Sequence, residues 1–141
     1  MINQGCSTRK PLAVAHNVSM AEAENGPGLL GISSTGYGST EAEAIRDAEK
    51  AVLEQLLFRG IAGSQWALPL VPDEAASKKD HPAFYKTFLD EAGYRPYILH
   101  STHGTLSKGQ GAGHLTTTMQ VDMNALRRHL EKNQIIRPFG L

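Results

Sequence analysis

One segment of the chain, residues 40–60, predicts both a helix and the kind of surface on which that helix lies. Thr40 and Glu43 form a capping box, in which the hydroxyl accepts from the N3 amide and the carboxylate reaches back to the cap amide. Apolar and mostly small residues then recur at helical spacing: Ala44, Ile45, Ala48, Ala51, Val52 and Leu56. Gly60 ends the run. We therefore expect a helix over about residues 41–59 that lies close against a sheet.

Three further segments have the composition of β-strands. In residues 29–37, side chains at every second position would share one face of a strand, and Leu30, Ile32 and Ser34 form one such face. Residues 114–123 alternate more regularly, with one face formed by Leu115, Thr117, Met119, Val121 and Met123. This pattern is typical of a half-buried antiparallel strand. Residues 94–102 are rich in aromatic and β-branched residues, and Pro96 predicts an edge or near-edge place for them.

The remaining segments are a loop and two helices. Residues 61–79 are apolar but interrupted by Pro69 and Pro72, so we expect an ordered loop there. After Asp80, a shorter helix is indicated by residues at i, i+4 spacing: Phe84, Tyr85, Phe88 and Leu89. Asn124 is expected to cap a last helix, whose apolar residues are Ala125, Leu126 and Leu130.

The order of these elements predicts the fold class. Strand, helix, loop, helix, strand, strand and helix fit an α+β two-layer sandwich, with a small antiparallel-containing sheet and the helices on one face. The length of 141 residues suits one domain. We expect residues 1–27 to form a flexible leader or tether, with a short edge element at its end, and residues 28–141 to form the domain. Residues 135–141 are too apolar for a free tail and should dock on it.

Composition argues against several classes of partner. Fourteen basic residues balance fourteen acidic ones without a basic run, which argues against nucleic acid. The longest apolar stretches are far shorter than the roughly 20 residues that cross a bilayer, so we expect membrane attachment only through a lipid anchor. The single cysteine excludes an internal disulfide framework and a cysteine-based zinc site.

The position of that cysteine, Cys6, is informative. Gly5 precedes it and Ser7 follows it, which resembles the end of a bacterial lipoprotein signal, where the cysteine is acylated after cleavage. The charged start and apolar core of such a signal are not among residues 1–5. Two interpretations remain open: lipid attachment at Cys6, or an unstructured leader with an incidental thiol.

The turn at residues 36–40 resembles a phosphate-binding loop only in part. Gly36 and Gly38 lie between a strand and a helix, but Glu41 occupies the position of the third glycine of a dinucleotide fingerprint. Glu41 and Glu43 also occupy the positive field that a phosphate needs, and no lysine follows the glycines. We interpret the segment as a tight turn and a helix cap, and we expect no nucleotide cofactor.

Other catalytic and metal-binding patterns are also missing from the sequence. His100 and His103 differ by an odd number and should point to opposite faces of a strand, so convergence with His114 on a metal would need a turn or bulge near Gly104. No nucleophile elbow is present, and Cys6 has no base held beside it. The acidic residues of the first helix are interpreted as its solvated surface: Glu41, Glu43, Asp47, Glu49 and Glu54. We therefore expect no enzyme, metal or cofactor.

The loop around Trp66 is the best candidate for partner binding. Its apolar residues, stiffened by two prolines, are Trp66, Leu68, Leu70 and Val71. The loop is either a lid packed over one end of the core or an exposed patch for a partner. Aromatic anchors held by proline lose little entropy on binding, which favours testing the second alternative.

Two parts of the chain also resemble a known family. The first part, within residues 28–58, contains the glycine-rich turn and the alanine stripe, and the second, within residues 113–131, contains the last strand and the basic helix. Together they resemble small Gram-negative envelope lipoproteins similar to the N-terminal domain of the flagellar assembly protein FlgT. The resemblance implies an envelope address and a structural or assembly role, with no family active site to carry over.

These observations lead to one functional expectation and two rivals. We expect a non-catalytic lipoprotein domain that binds other envelope proteins. It would be tethered through Cys6 to the periplasmic face of a bacterial membrane, and we expect this to be the outer membrane. One rival is a soluble ligand- or metal-binding domain, or an unrecognised enzyme, with a cleft between the Trp66 loop and the hairpin at residues 94–123. The other is a cytoplasmic domain whose apolar loop forms a homo-oligomer.

Overall fold

The computed structural model describes residues 16–21, 26–109 and 113–138. Lipid attachment at Cys6 concerns a residue outside these ranges. The fold is α+β, as predicted, with strands β1 (Ser19–Met20), β2 (Leu29–Gly38), β3 (Ile98–His103) and β4 (Gly113–Asp122). The helices are α1 (Glu41–Phe58), α2 (Glu74–Asp80), α3 (Pro82–Tyr85) and α4 (Met123–Lys132). A π-helical turn, Lys86–Asp90, continues α3.

The four strands form one antiparallel sheet in the order β1-β2-β4-β3. β2 and β4 pair over ten positions, from Leu29 with Asp122 to Gly38 with Gly113. β3 lies at one edge, as Pro96 predicted, although Arg95–Tyr97 form a 3-10 turn before the strand begins. β1 forms the other edge and falls within the range predicted as tether.

The alternation in β2 and β4 places one face of the sheet in the core. The inward side chains are buried, and most outward ones are at least partly exposed, which confirms the predicted parity of both strands. The core consists of this inner face together with residues from the helices and loops. Ile135 and Ile136, after α4, pack against it, while residues 139–141 are outside the described ranges.

Helix α1 begins with the predicted cap, with one difference. The Thr40 hydroxyl accepts from Glu43 N at 3.2 Å, but the Glu43 carboxylate accepts from Ser39 N at 2.8 Å and not from the cap amide. The alanine stripe lies on the sheet over the two strand glycines, Gly36 and Gly38. A Cβ on Gly38 would stand 2.8 Å from Ala44 N. These glycines therefore permit close packing between helix and sheet.

The segment after α1 contains a helix that the sequence did not predict. Residues 61–73 are irregular, but α2 follows within the predicted loop, capped by Asp73, whose carboxylate accepts from Ala76 N at 3.0 Å. No residue of α2 is buried, so the helix has no apolar period to reveal it. The later helix is confirmed as α3 and its π-helical turn.

The last strand runs directly into the last helix. The cap of α4 is Asp122, whose carboxylate accepts from Ala125 N at 3.0 Å, so the predicted cap at Asn124 was wrong by two positions. Leu126 and Leu130 face the core, as predicted. Across the ranges that the structure covers, none of the helices combines the length and the apolarity required to cross a bilayer.

Candidate functional sites: the Trp66 surface and an aromatic pocket

The loop after α1 is held to the end of that helix by main-chain hydrogen bonds. The last carbonyls of a helix lack an intrahelical partner. The carbonyl of Leu56 accepts from the Leu70 amide at 3.2 Å. The carbonyl of Leu57 accepts from the Val71 amide at 2.7 Å. The apolar loop therefore completes the helix end and holds a defined conformation.

The four predicted partner-binding residues of this loop differ in exposure. Val71 is 3% exposed and belongs to the core, while Trp66 and Leu70 are partly buried and pack against it. Leu68 is 81% exposed. The loop therefore covers part of the core and also presents one large apolar side chain to solvent. The lid describes Val71, Trp66 and Leu70, and the exposed patch describes Leu68.

A concavity of about 420 Å³ lies beside Trp66 and is completed by α4. Its lining residues are Trp66, Asn124, Arg127, Arg128 and Glu131. We call these residues, together with the exposed Leu68 two positions after Trp66 in the loop, the Trp66 surface. Arg127 Nε lies 3.3 Å from Glu131 Oε2. Arg128 is exposed and forms no salt bridge with a described residue. The helix α4, and not the hairpin that we expected, forms the second wall of this concavity.

A larger concavity, of about 580 Å³, lies between residues 80–93 and the C-terminal half of α4. We call it the aromatic pocket, and the lining residues that matter below are Asp80, Ala83, Phe84, Thr87, Phe88 and His129. The Phe84 and Phe88 rings are stacked with centroids 5.2 Å apart, and the rings of Phe88 and His129 with centroids 5.6 Å apart. The ring of Tyr97 also packs against that of His129, with centroids 5.1 Å apart. The Phe84 and His129 rings are 5.7 Å apart and inclined by 36°, so the pocket has a wall of closely packed rings.

The backbone beside the aromatic pocket is irregular. Glu91 N donates to Lys86 O at 3.0 Å, which is the wide hydrogen bond of a π-helical turn. Ala92 follows with a φ of 58°, a conformation that few non-glycine residues adopt. Gly93 N then donates to Thr87 O at 3.0 Å. This widened turn carries Thr87 and Phe88 to the edge of the pocket.

Burial among these rings, and to a smaller degree the charge of Lys132, lowers the pKa of His129 below its ordinary value. This shift favours the neutral imidazole, in which one ring nitrogen is a donor and the other an acceptor. Asn133 Nδ2 donates to the His129 carbonyl at 2.9 Å, which closes the end of α4. Sequence reasoning missed this pocket because nothing local relates His129 to the phenylalanines.

Glu49, which the sequence placed on the solvated helix surface, is 6% exposed. Its carboxylate accepts from the Tyr94 hydroxyl at 3.1 Å and from Arg95 Nε at 3.1 Å. Burial, followed by the Glu49 charge, raises the pKa of Tyr94. Because Tyr94 is fully buried and Glu49 nearly so, this cluster joins α1 to the turn before β3 and has no open volume for a substrate.

Asp47 was also interpreted as solvated surface, and it joins three parts of the chain. Its Oδ2 accepts from His16 Nε2 at 2.8 Å and from Tyr37 N at 2.9 Å. The rings of His16 and Tyr37 meet edge to face at 5.8 Å. Residue 16 lies in the predicted tether, so this contact fixes part of that segment on the domain.

The histidines considered for a metal are His100, His103 and His114. The register pairs His100 with Gln120 and His103 with Thr117, which lie on opposite faces of β4, as the odd spacing predicted. The irregularity in β3 lies between Ile98 and His100, not near Gly104 where convergence would need it, and it leaves this relation intact. Within residues 16–21, 26–109 and 113–138, no group of three or more histidine, cysteine, aspartate or glutamate side chains is placed to hold a metal ion.

Comparisons with protein-family models, with curated proteins and with solved structures find no significant match to this chain. The two concavities are therefore interpreted from their own chemistry.

Proposed function

We propose that this chain is the non-catalytic domain of an envelope lipoprotein, and that it binds another envelope protein through the Trp66 surface. Two features of the sequence support the envelope address. Gly5, Cys6 and Ser7 resemble a lipid-attachment site, and residues 28–58 and 113–131 resemble small envelope lipoproteins. Neither feature involves a catalytic residue.

The observation that carries the binding role is the exposure of Leu68 on a braced loop. A leucine that is 81% exposed contributes nothing to the core, yet the hydrogen bonds from Leu70 and Val71 to α1 hold its loop in place. A side chain presented by an already ordered loop loses little further entropy when a partner covers it. Leu68 is therefore suited to be an apolar anchor in an interface.

The chemistry of α4 indicates the kind of partner. Arg128 presents an exposed guanidinium on the Trp66 surface, and arginine is favoured at interfaces because its planar group binds carboxylates in a bidentate manner. The fitting partner is a protein segment that carries an apolar side chain for Leu68 and Trp66 and a carboxylate for Arg128. Complementary charge of this kind sets register and specificity.

The first experiment tests the anchor. The gene is expressed in a Gram-negative host from its own locus with its native upstream sequence, and the cells are labelled with an alkyne-bearing palmitate. We expect label on the wild-type protein and none on Cys6→Ser, with both proteins folded. A wild-type protein that carries no lipid would overturn the lipoprotein assignment.

The second experiment tests the surface. A photo-crosslinking amino acid is placed at Leu68 in living cells, and the matched control places it at Leu99, which is 52% exposed on the edge strand β3. We expect one defined adduct with an envelope protein from position 68, absent from position 99 and lost when Arg128→Glu is added. Adducts of equal pattern at both positions, or an adduct only with a second copy of this chain, would contradict the proposal.

A further inference from the structure

We propose that the aromatic pocket binds a small organic ligand that carries a flat ring and a protonated amine. This binding site is separate from the Trp66 surface, and its existence does not depend on the docking function. The proposal follows from the size of the pocket, its ring-lined wall, its carboxylate and the backbone that shapes it.

The size and lining of the aromatic pocket fit a small molecule. Its volume of about 580 Å³ lies within the range of roughly 300–1,000 Å³ that is usual for ligand sites. Such sites are mostly apolar with a few polar groups that orient the ligand. Here the partly buried Phe84 and His129 supply the apolar part, packed on the buried Phe88, and the exposed Asp80 and Thr87 supply polar groups.

The ring wall favours a flat ligand. The planes of Phe84 and Phe88 are inclined by only 15°, and those of Phe88 and His129 by 24°. Phe88 is 1% exposed, so a ligand ring would meet Phe84 and His129, which are partly buried and inclined to each other by 36°. Another ring can lie against such a face in an offset stack. Phe84 is only partly buried, so its ring is accessible from the pocket.

The charge at the pocket favours a cation. Asp80 is exposed, lines the pocket and forms no salt bridge with a described residue. It is the last residue of α2 and directly precedes His81, the N-cap of α3, so the dipoles of the two helices act on this carboxylate in opposite senses. Aromatic faces attract cations as well. An amine near Asp80 would form an ion pair with the carboxylate while the attached ring lies on the wall.

The backbone around the pocket supports a binding role independently. π-helical turns inside helices occur frequently at functional sites, and Lys86–Asp90 form one whose residues Thr87 and Phe88 line the pocket. Ala92, with its positive φ, stands directly before the lining residue Gly93. Strained residues of this kind cluster at ligand sites, where the surrounding structure holds them.

A carboxylate-bearing ligand is the main alternative, because Lys132 is close enough to His129 to affect its titration. The experiment therefore compares three probes that share one ring: tryptamine, indole and indole-3-acetate. Binding to the full 141-residue chain is measured by calorimetry and by amide chemical-shift changes at low salt. We expect tryptamine to bind saturably and about fivefold more tightly than indole. Indole-3-acetate should bind more weakly than indole.

Two pairs of variants locate the site. Ala83→Leu fills the pocket from an exposed position, and Ala75→Leu makes the same change on the exposed surface of α2 outside the pocket. Asp80→Asn removes the carboxylate, and Glu91→Gln removes an exposed carboxylate that does not line the pocket. All four positions are exposed, so the variants should fold.

We expect Ala83→Leu to abolish tryptamine binding and Asp80→Asn to weaken it about fivefold, to the affinity of indole, with both controls unchanged. The proposal is overturned if no probe binds saturably to the wild type, or if Ala83→Leu leaves binding intact. Equal affinities for tryptamine and indole, or a preference for indole-3-acetate, would overturn the amine assignment.

Discussion

The backbone of Gly36 in β2 lies in direct contact with Ala48 of α1. A Cβ on Gly36 would stand 2.6 Å from Ala48 N and 2.8 Å from Ala48 Cβ, and it would also collide with the carbonyl of Ala44. No side chain fits between strand and helix at this point. The glycine in the strand and the alanines in the helix therefore pack directly against each other, and their small size sets the distance between the two layers.

Gly36→Ala is predicted to destabilise the domain by about 3 kcal/mol, because the added methyl group must displace the α1 backbone from the sheet. The free energy of unfolding from urea titration measures this loss. Gly109→Ala serves as the control, since, apart from its neighbours in the chain, no described residue lies within 4 Å of a Cβ at that position. A Gly36→Ala variant as stable as the Gly109→Ala control would contradict the close contact.

Thr117→Val is predicted to stabilise the domain by about 1 kcal/mol, since it replaces a buried hydroxyl without a partner by a methyl group of similar shape. Thr117 is 0% exposed, and its Oγ1 forms no hydrogen bond within the described part of the chain. Thr118→Val is the control on the opposite face, where the hydroxyl meets Ser33 Oγ at 2.8 Å. Chemical denaturation of both variants should show a gain only for Thr117→Val.

Glu49→Ala is predicted to cost about 2 kcal/mol, because the buried Tyr94 hydroxyl loses its acceptor and remains unsatisfied. Glu54→Ala, on the same helix and only partly buried, is the matched control and should change stability by less than about 0.5 kcal/mol. A double-mutant cycle with Tyr94→Phe measures the coupling. If the two substitutions are additive, the hydrogen bond does not contribute as described.

His129 is predicted to make the domain less stable as the pH falls below about 6.5. Its pKa is lowered in the folded state, so the unfolded chain binds more protons in this range and stability rises with pH. The contribution is complete above the unfolded pKa and is lost as the pH falls through the folded one. An NMR titration should place the His129 midpoint below that of an unfolded-chain histidine.

The stability profile offers a second measurement of the same effect. His129→Gln should flatten the fall in melting temperature between pH 7 and pH 5, whereas His100→Gln, at an exposed position, should not. A His129 midpoint at or above its ordinary value would show that burial among the rings does not control its titration.

The predictions from the sequence succeeded where a pattern was local and repeated. The parity of residues 29–37 and 114–123 identified the inner face of two strands, and the alanine stripe identified the face of α1 that lies on them. The helix α2 was missed because it buries no residue, and periodicity detects only helices with an apolar face. Asp73, an aspartate directly before good helix formers, was the available signal.

The sites depended on relations that no local pattern contains. Leu68 and Val71 are both apolar in the sequence, and only their positions over the core separate an exposed anchor from a buried lid. Glu49 looked like a solvated charge until Tyr94, distant in the chain, was placed against it. The phenylalanines of the aromatic pocket and His129 likewise meet only in the folded chain. Periodicity therefore established the layers and their buried faces, since each strand or helix encodes its own faces. Three-dimensional packing decided which polar groups became buried and where concavities formed, since these depend on contacts between distant segments.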